Sequence, residues 1–221
     1  MRVVGERDMK NLLKSTALIM VRKPAEWLRN RDGVAAIEFA LIAPIMIAFY
    51  FGLSEVSIGI GAARDVTHSA SVAGDLATQS ATLDELGVED VLTAALAVLN
   101  PRSSEINKLT IELNSYKKDA DGNIELIGYA RVGPTISAGG PATYDPSVLG
   151  NNMLNTTSGV VVARVNYNYT PATLAFMQKV TLHETFLLKP RKSLSVPFDE
   201  GGKSSFTCSA SSNLTVGCTG S

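Results

Sequence analysis

The chain has few of the residues that most often carry chemistry. Its 221 residues include two histidines, two cysteines and one tryptophan. His68 and His183 do not lie at spacings typical of metal ligands or of a nucleophile paired with its base. The sequence therefore predicts no catalytic residues, no metal site and no cofactor. We expect a protein that is not an enzyme and takes no small-molecule substrate.

A large excess of charge of either sign is also absent. The formal net charge is -1, which excludes general electrostatic capture of nucleic acid. The N-terminal segment is nevertheless basic, and Trp27 is its only aromatic residue. Contact with a membrane surface explains this segment better than nucleic-acid binding. Its charged residues are the basic Arg2, Arg7, Lys10, Lys14, Arg22, Lys23, Arg29 and Arg31 and the acidic Glu6, Asp8, Glu26 and Asp32.

Between Val34 and Leu53 charged residues are nearly missing. Glu38 is the only one, and every other residue of this run is apolar, glycine or proline. About 20 such residues, at 1.5 Å rise per residue, match the roughly 30 Å hydrocarbon core of a bilayer. The run predicts a single transmembrane helix. The basic residues before it predict that residues 1–33 form a cytoplasmic leader and that the long C-terminal part is exported.

The residues after the span predict a helical stalk over residues 54–100. Apolar residues recur at spacings of three and four in two segments, separated by a break near Thr82 to Gly87. Asn100-Pro101 ends the second segment. The apolar positions are Val66, Ala70, Ala73, Leu76 and Ala77 in the first segment and Val91, Leu92, Ala95, Leu96 and Leu99 in the second.

The next region, residues 101–198, shows the alternation of apolar and polar residues that is typical of strands. Asp119 to Asn123 supplies the turn of a hairpin, and a short helix is expected between Pro171 and Lys179. The fold class is therefore α+β, with a long N-terminal transmembrane helix that continues into an exported domain holding an antiparallel sheet of about four strands. The predicted strands contain Leu109 to Leu113, Ile124 to Val132, Gly159 to Tyr169 and Val180 to Leu188.

Two segments lack such a pattern. Gly133 to Ser158 is rich in glycine, proline, serine and asparagine, and is long enough to offer a contact surface to a partner. Residues 199–221 are expected to form a flexible tail that contains Cys208 and Cys218. Because export would bring this tail into an oxidising compartment, we expect a disulfide between the two cysteines.

The start of the apolar run resembles a known processing motif. Gly33-Val34-Ala35-Ala36-Ile37-Glu38-Phe39 is similar to the junction of type IV prepilins and pseudopilins. The continuation through Pro44, Gly52-Leu53 and Ala62-Ala63-Arg64-Asp65 resembles the TadE-like family of the tight-adherence (Flp-type) pilus system. The resemblance covers roughly Asp32 to Ala77. The related TadG-like proteins usually have a larger exported region with a DxSxS motif, which this sequence lacks.

The resemblance implies roles for individual residues. A prepilin peptidase would cut between Gly33 and Val34, so the leader would be removed. Glu38 would be recognised by the peptidase or by the assembly machinery, and after cleavage it could pair with the new amine of Val34 on a neighbouring subunit. Phe39 resembles the aromatic residue that follows this acid. A second interpretation of Glu38 is also open, in which the carboxylate lies in the first turn of the helix and is stabilised by the helix dipole.

Pro44 is expected to kink the helix, which would help a subunit to move from bilayer to filament, or to be merely tolerated. Taken together, the resemblance implies a minor pseudopilin-like structural component of Flp/Tad pilus biogenesis. Its location would be the bacterial inner membrane, in a single pass. Its partners would be that membrane, a prepilin peptidase, other pilin-like subunits and pilus assembly proteins. The alternative is an uncleaved, membrane-tethered module whose exported domain binds a ligand or a surface.

Overall fold

The computed structural model describes residues 33–101, 103–133, 144–149, 153–154, 158–173 and 176–220. Most of the expected leader therefore lies outside the described residues, as does much of the loop that was expected to offer a partner surface. The chain divides into two compact units, residues 1–51 and residues 52–221. We call the described part of the first unit after Gly33 the anchor segment (residues 34–51), and the second unit the sheet domain.

The first helix, α1 (Val34–Thr78), begins in the anchor segment and ends in the sheet domain. It is long and apolar enough to cross a membrane, and its most apolar part is not buried within the protein. In the sheet domain the same helix buries a stripe of small residues at spacings of four and three. This confirms the predicted apolar stripe, whose fully or nearly fully buried members are Val66, Ala70, Ala73 and Ala77.

The second helix, α2 (Glu85–Leu99), starts three residues earlier than the apolar pattern suggested, because Asp84 caps it. The Asp84 carboxylate accepts a hydrogen bond of 2.8 Å from the backbone N–H of Gly87, which satisfies one donor of the first turn. Asn100 ends the helix in the left-handed conformation, with φ of 42°, and Pro101 follows it. Asparagine tolerates this conformation better than most residues, so the predicted stop at Asn100-Pro101 is confirmed.

In the described residues that follow, six strands form one mixed sheet, in the order β4-β3-β1-β2-β5-β6. β2 and β5 are parallel, and the other neighbouring pairs are antiparallel. Short 3₁₀ helices occupy Ser103–Lys108 and Pro146–Val148. The strands are β1 (Leu109–Lys118), β2 (Ile124–Val132), β3 (Gly159–Tyr169), β4 (Val180–Leu188), β5 (Ser205–Ala210) and β6 (Val216–Gly220).

The α+β class is confirmed, but the expected number of four strands is wrong. β5 and β6 lie in the segment that was expected to be a flexible tail, and they extend the sheet beyond β2. The physical reason is that β2 offers an unpaired edge to which β5 can bond. The short helix expected between Pro171 and Lys179 is not formed by the described residues of that stretch, 171–173 and 176–179.

Both helices cover one face of the sheet. Side chains alternate between the two faces of a strand, so Ile111 and Leu113 of β1 point to the same face and are fully buried. They belong to one core cluster with α1, α2 and β3. Gly74 lets α1 approach closely, because a Cβ atom at this position would collide with the side chain of Leu188. A smaller apolar cluster contains Tyr116, Leu149, Leu154, Val160 and Val162.

Candidate functional site

The junction between Gly33 and Val34 is exposed. Gly33 directly precedes the first residue of α1 and is exposed, and a Cβ atom built on it would meet no atom within 4 Å. Packing against the described residues therefore does not require glycine at this position. A Cβ atom could be added at Gly33 without a steric clash with them, which leaves a demand for glycine by a partner open.

Glu38 lies four residues into α1 from Val34 and is exposed. The helix has no acidic residue in its first turn, and the stabilisation of an anion by the helix dipole falls off within that turn. The dipole interpretation therefore does not account for the position of this carboxylate. Glu38 makes no hydrogen bond or ion pair with the described residues, and Phe39 beside it is 72% exposed. Both side chains are available to a partner.

Pro44 lies inside α1, which continues without interruption from Val34 to Thr78. A proline at such a position has no N–H for the helical hydrogen bond and crowds the preceding turn. The kink expected from the sequence stays a prediction. The residues from 33 to 51 are exposed with the exception of Ala43, so packing against the described residues does not hold this part of the helix in one bend.

A second acid on α1 was missed by the sequence analysis. Glu55 is only 5% exposed, although it follows directly after the apolar run. Its Oε1 accepts a hydrogen bond of 2.7 Å from the backbone N–H of Thr173, and its Oε2 accepts one of 2.9 Å from the Thr173 hydroxyl. We call this pair of bonds the Glu55 tether. It fastens the connection between β3 and β4 to the helix.

Two glycines of α1 face this connection, and Gly59 allows it to lie close to the helix. A Cβ atom on Gly52 would lie 3.5 Å from the ring of Phe176, and one on Gly59 would lie 3.2 Å from the side chain of Met177. A Cβ atom at 3.5 Å would make an ordinary contact, whereas one at 3.2 Å would be unusually close. Small residues permit close approach of packed segments, and here Gly59 accommodates the β3–β4 connection of the same chain. No local sequence signal pairs Glu55 with Thr173, which is 118 residues away.

The other buried charge lies on the central strand. Glu112 of β1 is fully buried, and one Nη of Arg164 on β3 donates to its Oε2 over 3.2 Å. Burial raises the pKa of the Glu112 carboxyl, and the nearby charges of Arg164 and Arg131 oppose this rise without cancelling it. Among the described residues, its Oε1 has no hydrogen-bond partner. The pair lies between neighbouring strands at a directly opposed position, which suits a structural ion pair.

A cavity of about 460 Å³ opens between α1, the end of α2 and β3 in the sheet domain. Tyr167 and Tyr169 line it with rings 6.2 Å apart in an edge-to-face arrangement. The hydroxyl of Tyr167 donates to Glu105 over 3.1 Å. The cavity thus combines aromatic surface with carboxylates, the second of which belongs to Asp65. Such a lining suits a cationic or polar group.

The structure places the two histidines on different elements, His68 on α1 and His183 on β4. No cluster of three or more histidine, cysteine, aspartate or glutamate side chains suited to a metal ion occurs in the part of the chain that the structure describes. Cys208 and Cys218 form a disulfide that joins directly opposed positions of β5 and β6, which confirms the expected pairing.

The disulfide hairpin is also fixed to α2. The Glu89 carboxylate accepts a hydrogen bond of 2.6 Å from the backbone N–H of Cys218, and the Thr93 hydroxyl accepts one of 3.2 Å from that of Val216. These bonds satisfy backbone donors on the edge strand β6, which would otherwise be open to pairing with another chain.

Comparison with known proteins bears on the N-terminal part of α1. No curated protein and no solved structure matches the chain significantly. A family model matches a segment that begins at Gly33 and includes Glu38, Phe39, Pro44 and the tether residue Glu55. Residues 33–75 match the sequence model of the family described as TadE-like protein, so the resemblance predicted from the sequence is confirmed for this segment of the chain.

Proposed function

We propose that the chain is a membrane-anchored structural component of Tad pilus assembly that acts as a minor pseudopilin. The observation that carries the proposal is the TadE-like match over residues 33–75, together with a helix long enough to cross a membrane that begins at Val34. TadE-like proteins are structural pilus components, and this supports a role without catalysis. The protein would be a single-pass protein of the bacterial inner membrane.

The disulfide supports the proposed orientation. Disulfides persist in oxidising compartments such as the bacterial periplasm and are rare in the cytosol. A sheet domain closed by Cys208–Cys218 is therefore suited to the exported side. The basic residues before Val34 favour the same arrangement, because cytoplasmic flanks of membrane helices carry an excess of lysine and arginine.

Processing by a prepilin peptidase forms part of the proposal. The small side chain of Gly33 would let an extended backbone enter the peptidase site, and cleavage would give Val34 a free amine. Glu38 is exposed on the helix only four residues away. In lipid a carboxylate and an ammonium group are each costly alone, so a pairing between Glu38 of one subunit and Val34 of its neighbour would relieve both.

The proposal is tested by the N-terminal sequence of the protein in cells with and without a prepilin peptidase. We expect a chain that starts at Val34 only when the peptidase is present. The Gly33→Leu variant should keep its leader in both strains, because a branched side chain would obstruct the extended backbone at the peptidase. Mass spectrometry of the intact protein reads out the difference directly.

Gly61→Leu is the matched control. Gly61 lies on α1 within the sheet domain, and a Cβ atom there would likewise meet nothing within 4 Å. Both substitutions therefore add the same side chain at a glycine where a Cβ atom is tolerated, and the Gly61 variant should be cleaved normally because Gly61 lies far from the junction along the chain. If the wild-type chain starts at Met1 in both strains, the processed-pseudopilin proposal is wrong.

The cavity beside Tyr167 and Tyr169 favours a second candidate, the uncleaved binding module. A concave site with aromatic and carboxylate groups is typical of ligand recognition. The same experiment separates the two functions, because a tethered binding module would keep Met1. Deleting the gene for the peptidase would then leave both its size and its location unchanged.

A further inference from the structure

The surface of α1 changes character within the sheet domain, several residues after the predicted end of the membrane span. Large apolar side chains remain exposed as far as Ile60. Leu53 is 69% exposed, Val56 47%, Ile58 57% and Ile60 51%. The exposed residues of the helix that follow are polar, namely Arg64, Asp65, Thr67 and His68.

This change of polarity marks a boundary between two solvents. Exposed apolar side chains are favourable in lipid and unfavourable in water, whereas charged side chains show the opposite preference. From Val34 to Ile60 the helix has a length of about 40 Å at 1.5 Å rise per residue. A bilayer with its headgroup layers is roughly 40–45 Å thick. The exposed apolar surface therefore fits the whole bilayer better than its hydrocarbon core alone.

The β3–β4 connection lies at the same level of the helix. Phe176 is 49% exposed and packs beside Gly52, and Met177 packs beside Gly59. Val180, at the start of β4, is 38% exposed, and Lys179 before it is exposed as well. An exposed phenylalanine ring is more favourable in apolar surroundings than in water, and a lysine can extend its ammonium group toward the headgroups while its stem stays in apolar surroundings.

The Glu55 tether shields a charged group of α1 at this level from lipid. A carboxylate between Leu53 and Ile60 would be costly in an apolar layer if it were exposed. Glu55 is almost completely covered, and both of its oxygens accept hydrogen bonds from Thr173. The acid is thus shielded from lipid by the connection that it holds in place.

We propose that the sheet domain is seated in the membrane surface, with the described residues of the β3–β4 connection (170–173 and 176–179) lying in the interfacial layer and Phe176, Val56, Ile58 and Ile60 in contact with lipid. The occupant of this surface is the bilayer itself, because the surface is continuous along the chain with the apolar run that crosses it. The inference rests on the membrane-spanning role of α1 proposed above and is independent of the pilus role and of cleavage.

Tryptophan fluorescence of the full chain in vesicles of phosphatidylethanolamine and phosphatidylglycerol tests the proposal. The background variant is Trp27→Phe, which removes the single native tryptophan. Phe176→Trp reports on the β3–β4 connection, and the change is conservative because the ring is half exposed. Leu86→Trp is the matched control, since Leu86 is 69% exposed but follows the far end of α1. About 27 Å of helix separates Ile60 from Thr78.

We expect lipids with brominated acyl chains to quench the Phe176 reporter severalfold more strongly than the Leu86 reporter, and aqueous iodide to show the reverse order. Iodide quenching of equal strength at both positions, without quenching by brominated lipid at Phe176, would overturn the proposal. Protection of Phe176 from both quenchers would also overturn it, because the surface would then be covered by another protein chain.

A third reporter separates this proposal from the membrane span on which it rests. Ile45→Trp lies in the middle of the anchor segment, where brominated lipid should quench it strongly. If brominated lipid quenches the Ile45 reporter but not the Phe176 reporter, the proposed position of the sheet domain in the membrane surface is wrong, whereas the membrane span is supported. If it quenches neither reporter, the proposed position and the membrane span are both wrong.

The tether supplies a second test. Glu55→Ala removes both acceptors for Thr173, and quenching of the Phe176 reporter by brominated lipid should then fall severalfold. Ser57→Ala, an exposed change on the same helix, should leave it unchanged. Unaltered quenching in the Glu55 variant would show that the tether does not hold the connection in the interface.

Discussion

Residues 34–51 and residues 62–78 belong to the same helix, yet the first segment exposes large apolar side chains and the second buries small ones. The anchor segment exposes large apolar residues, with Phe39 at 72% and Tyr50 at 71%. The later segment buries small ones, with Ala70 and Ala73 at 0%. Large exposed side chains suit a lipid solvent, whereas small buried ones let a helix approach a sheet. The difference supports the proposal that one continuous helix serves two environments.

The test of this comparison with the largest expected effect is to remove an aromatic ring from each region. Phe198 is 1% exposed in the core of the sheet domain, and Phe49 is 65% exposed in the anchor segment. Phe198→Ala should lower the free energy of unfolding of the sheet domain by about 3–5 kcal/mol, since it leaves a cavity. Phe49→Ala should leave that free energy unchanged. Urea unfolding of the detergent-solubilised chain, followed by near-ultraviolet circular dichroism, measures both. Equal losses would contradict the division into two environments.

The native disulfide provides a second test of the difference between the two regions, because the described disulfide lies in the sheet domain and not in the anchor segment. Replacing Cys208 and Cys218 by serine should lower the free energy of unfolding by about 2–3 kcal/mol in the chain-entropy treatment of a short loop. The same unfolding experiment measures this loss. Dithiothreitol should destabilise the wild-type protein and have no effect on the double variant. Sensitivity of the variant to the reductant would be inconsistent with a single stabilising bridge.

The smallest expected effect is the pH dependence of stability that arises from the buried Glu112 in the sheet. Burial raises the pKa of Glu112 in the folded state above its unfolded value. The carboxyl therefore contributes its full stability below the unfolded pKa, and this contribution is lost as the pH rises through the interval up to the folded pKa. The stability of the wild type relative to Glu112→Gln should accordingly fall as the pH is raised across that interval. Urea unfolding at a series of pH values measures the difference.

Asp119, in the turn between β1 and β2, provides a comparison of opposite sign. The backbone N–H of Asn123 donates to its carboxylate over 2.7 Å and lowers the pKa of Asp119. Its contribution to stability is present above the unfolded pKa and is lost as the pH falls. The stability of the wild type relative to Asp119→Ala should therefore rise with pH. Slopes of the same sign for the two acids would contradict the assigned causes.

Local pattern predicted most of the secondary structure correctly. β2, β3 and β4 were predicted with the bounds that the structure shows, because their apolar and β-branched residues alternate and turn residues flank them. The N-terminal part of α1 was equally clear, since a long apolar run has few alternatives. These are elements whose own residues specify their conformation.

The two missed strands depend on long-range partners. β5 and β6 are rich in serine, threonine and glycine, which have weak strand signals. A pattern of period two was present at Phe206, Cys208 and Ala210, but the pairing with β2 could not be inferred from it. The Glu55 tether was missed for the same reason, because its partner Thr173 is far away in sequence. For the candidate site, the motif at Gly33 to Phe39 was recognisable, whereas the contacts of the β3–β4 connection were not.

The parallel pairing of β2 with β5 also constrains the timing of biogenesis. α1 is made early and is available for membrane insertion while most of the sheet is still untranslated. β5 and β6 are made after the other four described strands, yet they supply the neighbour of β2 and the hydrogen-bonded cover of α2. The sheet therefore closes only after β6 has been synthesised. A subunit halted in the middle of translocation would be held in the membrane with an open edge at β2.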